Sequence, residues 1–173
     1  MIYTPASPFM QIAFVVEDIH ESIARWGRDL GVGPFFLQEH ASYETFLYRG
    51  APSGPDVSLA FAFSGDLQIE LVQQHNDAPS VFRDAIESFG YGAQHLGAMS
   101  NDLEAELERF AARKLEPIQR GLSRTGVETV FLPFESTPGG VIELIRASDG
   151  LSQAFAGLKA AASVWDGGDP YIR

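Results

Sequence analysis

QIAFVVEDIHESIARW, residues 11–26, and HLGAMSNDLEAELERF, residues 95–110, are two copies of one pattern, 84 positions apart. Gln11 falls on His95, Ala13 on Gly97, Asp18 on Asp102, Ile19 on Leu103, Ile23 on Leu107, Arg25 on Arg109 and Trp26 on Phe110. Each copy reads as a short apolar strand, an Asp at a helix N-cap, then a helix whose apolar residues return at the spacing of one face. The first copy adds a capping box from Asp18 to Glu21. Each copy later reaches a second apolar run, LQIELV at 67–72 and GVIELI at 140–145, which sets Glu70 on Glu143 at an offset of 73. The shorter offset leaves a longer connection in the first half, over residues 39–56, where GAPSGPD is rich in turn formers.

Between helix and last strand each half carries two more strand-like runs, PFFLQ and VSLAFAF in the first, PIQRG and VETVF in the second. The expected fold is therefore α+β, two tandem βαβββ modules in one domain over 1–173. Module one spans 9–73, a connecting helix 79–90, module two 94–146, and a C-terminal helix and tail 149–173. Within those ranges helices are expected at Val81 to Phe89 and Leu151 to Ala162. The apolar tail VWDGGDPYIR is expected to pack on its own chain or a neighbour.

Composition narrows the function. The chain has 173 residues, 45% hydrophobic and 20% charged, enough for a buried core and unlike a disordered chain. A formal charge of −11 with no basic cluster argues against nucleic acid and anionic membranes as partners. Zero cysteines removes disulfides, thiolate metal sites and thiol nucleophiles together. The first twenty residues hold no Lys or Arg and only a short apolar run, so a cytoplasmic protein without a signal or membrane helix is expected.

Polar residues at matched positions of two apolar strands need a reason. Gln11 and His95 open the first strand of each half; Glu70 and Glu143 sit inside the last. In IELV and IELI the carboxylate points away from the flanking Ile and Leu. A buried carboxylate costs several kcal/mol unless it is paired or coordinated. Alone, a strand Gln, His or Glu is an ordinary residue. A pseudo-twofold relating the halves would bring all four together, as a set of O and N donors for a divalent ion with room for water or substrate.

These residues resemble the vicinal oxygen chelate superfamily, which includes glyoxalase I, methylmalonyl-CoA epimerase, extradiol dioxygenases and bleomycin resistance proteins. The stretches that carry the likeness are residues 11–36, 95–118 and GGVIELI at 139–145. The resemblance implies paired modules forming a cupped mixed sheet around one metal ion, zinc, nickel, cobalt, manganese or magnesium, held by Gln11, Glu70, His95 and Glu143. Gln first is a glyoxalase I ligand pattern; the overall texture is nearer the epimerases, which usually have His first. Both branches imply proton transfer beside a carbonyl, with Glu143 as base and Glu70 as its counterpart, on a small carbonyl or thioester substrate in a homodimer. The epimerases carry a further carboxylate on the strand before the Glu70-type strand, and VSLAFAF has none, leaving Glu44 or Glu70 for that role. Two alternatives stay open: a binding protein of the resistance kind that uses the cup without chemistry, and an extradiol-type dioxygenase, against which Gln11 stands where a His is required. Tyr43, Phe46, Tyr48 and Phe134 are candidates for an apolar cavity wall, and His40 or His75 for its rim.

Overall fold

The structure is a computed structural model describing residues 7–137 and 139–172; residues 1–6, Pro138 and Arg173, the end of the expected tail, lie outside the described residues. Strand β1 (Phe9–Val15) leads into helix α1 (Ile19–Leu30), then β2 (Phe36–Gln38), β3 (Tyr43–Tyr48), β4 (Ala51–Pro52), β5 (Val57–Ser64) and β6 (Leu67–Gln74). After α2 (Val81–Phe89) the second half runs β7 (Gly92–Ser100), α3 (Leu103–Ala111), β8 (Gln119–Ser123), β9 (Glu128–Pro133) and β10 (Val141–Arg146), and α4 (Asp149–Val164) follows. The strands form one ten-stranded sheet in the order β2-β5-β6-β1-β7-β10-β9-β8-β3-β4. Only β1 with β6 and β7 with β10 pair in parallel, each pair joined through a crossover that includes a helix. The chain therefore has the expected α+β fold with its cupped mixed sheet.

The halves meet along β1 and β7, antiparallel, with Gln11 opposite Gly97, Ile12 opposite Leu96 and Ala13 opposite His95. This register is symmetric about the Ile12–Leu96 pair and agrees with the 84-residue repeat. It also slips once on each strand: between Phe9 and Gln11, and between His95 and Ala93. The extra residues of these bulges are Met10 and Gln94, themselves repeat equivalents.

Each helix starts where its cap requires. Asp18 accepts from Glu21 N at 2.8 Å, Ser80 from Arg83 N at 3.0 Å and Asp102 from Ala105 N at 3.1 Å. Helix α1 buries Ile19 and Ile23 against Ala60, Ala62, Ile69 and Leu71 on the convex face of the sheet. Burying one such aliphatic side chain contributes about 1.5–3 kcal/mol. Helix α3 does the same with Leu103 against Val130, Leu132, Ile142 and Leu144. The alternate residues of these strands face the concave side, where α2 closes one end with Val81 and Phe82.

The longer connection expected over 39–56 differs from expectation: it contains the β3–β4 hairpin. Arg49 and Gly50, with φ of 49° and 77°, make the two-residue loop, both in the left-handed region that a type I′ turn needs. The hairpin leaves its own module and pairs with β8 of the other. Module one thus contributes six strands to the sheet and module two four. The tail packs on its own chain: Trp165 lies against Gly27 and Gly33, and Phe35 N and O bond Pro170 O and Ile172 N. Among the described residues no helix is long and apolar enough to cross a membrane.

Candidate metal centre

Alternation places Gln11 and Ala13 of β1, Gln68 and Glu70 of β6, His95 and Gly97 of β7, and Val141 and Glu143 of β10 in two rows across the concave face. One row reads Glu70, Ala13, His95, Val141; the other reads Gln68, Gln11, Gly97, Glu143. The sequence-predicted Glu70, His95 and Glu143 come together: His95 Nε2 lies 3.2 Å from Glu70 Oε2 and 3.4 Å from Glu143 Oε2. Ile69 and Leu71 beside Glu70, and Ile142 and Leu144 beside Glu143, point into the convex-side cores, as expected from IELV and IELI.

Gln11 lies in the second row, in register with Gly97 and Glu143. Its Nε2 donates to Gln68 Oε1 at 2.9 Å, which turns Oε1 toward Gly97, the neighbour of Glu143 in register. A Cβ at Gly97 would overlap that oxygen, so glycine here is a seat for the amide rather than a turn residue. Ala13, between Glu70 and His95, is the matching small residue.

Three of the four side chains have unmet valence. Gln11 Oε1, Glu70 Oε2 and His95 Nε2 are buried without a hydrogen-bond partner; the Glu70–His95 approach is an ion-pair distance without hydrogen-bond alignment. Buried polar atoms are nearly always satisfied. The other ring nitrogen, His95 Nδ1, bonds Gln94 Oε1 closely, and Gln94 Nε2 reaches Val81 O at 3.4 Å. This fixes the proton on Nδ1 when the ring is neutral and leaves the Nε2 lone pair facing the two carboxylates, the usual second contact of a metal-ligating histidine. Two carboxylates, an imidazole and an amide oxygen fit a divalent ion in charge and donor type.

Without an ion the electrostatics are those of a buried triad. Burial opposes charge on His95, but Glu143 and Glu70 outweigh it and hold its pKa up to about 9. Glu70 is raised by burial and by Glu143, with His95 pulling the other way. Tyr43, on the exchanged hairpin, is pushed well above the usual phenol range by burial and then by Glu70 and Glu143, so its hydroxyl stays protonated.

The centre opens on a cavity of about 540 Å³. Phe36, Phe61, Phe82 and Phe131 line it, with Tyr43 and Phe46 from the hairpin and Leu151, Phe155 and Leu158 from α4. Of the aromatics expected in the wall, Tyr43 and Phe46 are there. Tyr48 instead donates to Asp84 at 2.5 Å, and Phe134 is outside the lining. Glu44 is exposed and does not line the cavity, whereas Glu70 does. His20, His40 and His75 stand outside as well. Sequence reasoning missed Gln68, Gln94 and Gly97; the pairing of Ala13 with Gly97 was the available signal for the small residues.

Solved structures share this fold. A hypothetical protein of Bacillus halodurans C-125 superposes with a TM-score of 0.64 at 16% identity over 84% of this chain and 97% of its own. Methylmalonyl-CoA epimerase from Mycobacterium tuberculosis gives 0.60 at 18% identity, over 88% and 97%. A variant Streptomyces coelicolor methylmalonyl-CoA epimerase in complex with 2-nitronate-propionyl-CoA gives 0.56 at 12%, over 83% and 96%. No curated protein matches the sequence. The model of the Glyoxalase/Bleomycin resistance protein/Dioxygenase superfamily matches residues 10–131, from the first site strand into β9, and the chain belongs to that superfamily.

Proposed function

We propose that the protein is a divalent-metal-dependent enzyme that transfers a proton beside a carbonyl group. The observation that carries this reading is the convergence of Glu70, His95 and Glu143 beside an apolar cavity that Gln11 also lines, with Gln11 Oε1, Glu70 Oε2 and His95 Nε2 buried without a hydrogen-bond partner. Gln11, Glu70, His95 and Glu143 would hold the ion, which supplies positive charge beside a substrate oxygen when bound. Glu143 takes the proton from the carbon next to the carbonyl, and the electron pair of that C–H bond moves onto the carbonyl oxygen. The same proton, or one exchanged with solvent, then returns to carbon, so nothing is oxidised or reduced. Glu70, across His95 from Glu143, would return the proton to carbon. The protonated Tyr43 hydroxyl, on a residue of the cavity wall, offers a neutral donor.

Thioesters of 2-branched acids and hemithioacetals of 2-oxoaldehydes, incubated in deuterated water, test the proposal by NMR. The acidic hydrogen should exchange with solvent in a metal-dependent way, and Glu143→Gln should slow exchange by roughly 10²–10⁴-fold, because an amide cannot accept the proton. Compounds that bind the metal-loaded protein without exchanging would replace this reading with ligand sequestration.

A further inference from the structure

The cavity is walled by rings and neutral polar groups, and among the described residues no lysine or arginine lines it. Its only ionisable carboxylates are Glu70 and Glu143, whose two negative charges a divalent ion would offset, leaving no positive charge for a ligand anion. Four of the five cations adjacent in sequence to lining residues are engaged elsewhere, Arg83 with Asp77 at 2.8 Å. Arg120 and Arg146 pair with Glu104 and Glu128, at 2.6–3.3 Å, and Lys159 pairs with Asp66. Arg124 is exposed in the β8–β9 turn outside the lining. The chain as a whole carries −11, so a polyanion approaches an opposing field.

Polar groups that do line the cavity, Gln38, Gln119, Ser123, Thr125, Thr129 and Ser148, are neutral hydrogen-bonding side chains. A cavity of about 540 Å³ holds a compound of drug-like size in full, and its phenylalanine walls match a flat or branched apolar body. Resting on the proton-transfer reading above, we propose that the substrate is an uncharged carbonyl compound with an aryl or branched-alkyl body. Its carbonyl and acidic C–H reach Glu70 and Glu143, while acyl-CoA and glutathione adducts are disfavoured. This sets the chain apart from the structural neighbour that is in complex with an acyl-CoA.

One acyl group on two carriers isolates the charge. Racemic 2-phenylpropanoyl N-acetylcysteamine thioester is neutral, and 2-phenylpropanoyl-CoA carries the same acyl group on a polyanion; with the racemates, proton transfer causes no net turnover. Calorimetric titration of the metal-loaded protein should give a dissociation constant about ten-fold or more tighter for the neutral thioester, a gap that narrows in 1 M salt as repulsion is screened. Equal or tighter binding of the CoA thioester, or no binding of either, overturns the proposed class. The two readings fail separately. A neutral thioester that binds as expected but does not exchange its hydrogen removes the proton-transfer reading and leaves the class standing. Exchange confined to the CoA thioester does the reverse.

Discussion

Two clusters of histidine and carboxylate in this chain have similar dimensions and opposite character. Glu70, His95 and Glu143 on one side, and His40, Asp56 and His75 on the other, each bring three ligand-type atoms within 4.8 Å of one another. On the surface, His40 Nδ1 bonds Asp56 Oδ1 at 2.7 Å, His75 Nε2 meets Ser58 Oγ at 2.8 Å, and the His40 side chain is 64% exposed. Inside the cup, the His95 side chain is fully buried and its Nε2 has no hydrogen-bond partner. The outer cluster is hydrogen-bonded and exposed; the inner one is buried and leaves Glu70 Oε2 and His95 Nε2 without a hydrogen-bond partner. Unmet hydrogen bonding in a buried site, rather than a count of ligand residues, distinguishes a candidate centre from a surface ion pair.

The largest expected effect on stability comes from Gly97→Ala. The new Cβ overlaps Gln11 Oε1, so either the amide leaves its seat or β7 shifts. Overpacking of this kind costs about 1–3 kcal/mol, and metal affinity should fall about ten-fold or more, as when a supporting contact is lost. Chemical denaturation and metal titration check both. Unchanged metal affinity in a folded Gly97→Ala protein would remove Gln11 from the site.

A smaller effect separates the clusters by pH. In the metal-free protein His95 is held up to about 9, above its ordinary 6.5, so the folded state keeps a proton that the unfolded chain releases. That contribution to stability is complete below about pH 6.5 and is lost as pH rises through about 9. Glu70, raised by burial, acts in the same direction. A bound ion competes with these protons, so metal should stabilise the protein more at pH 9 than at pH 6.5. Thermal unfolding with and without ion reads this directly, and metal-free stability that rises over this window would contradict it.

The inner cluster was legible in the sequence because duplication writes it twice. Gln11 with His95 and Glu70 with Glu143 hold equivalent places on apolar strands, and strand alternation alone decides which face they take. What supports them was not legible. Gln94 reaches the same side as its neighbour His95 because β7 bulges there, which breaks the period of two on which a face is read. The β3–β4 hairpin pairs with β8, a partner more than seventy residues away. No local pattern specifies that register, although Arg49-Gly50 after YETFLY carried the turn. Helix α4 supplies cavity wall from Leu151, Phe155 and Leu158 yet has no fully buried residue, so its weak amphipathic pattern indicated a helix but not its position.

The central claim is that Gln11, Glu70, His95 and Glu143 hold one divalent ion and that His40 and His75 do not. Elemental analysis of protein purified without chelator tests it, on the wild type, Glu143→Gln, and the double variant His40→Ala, His75→Ala. About one divalent ion per chain is expected in the wild type and in the double variant, with most of it lost from Glu143→Gln. Metal kept by Glu143→Gln and lost from the double variant would reverse the assignment of the two clusters.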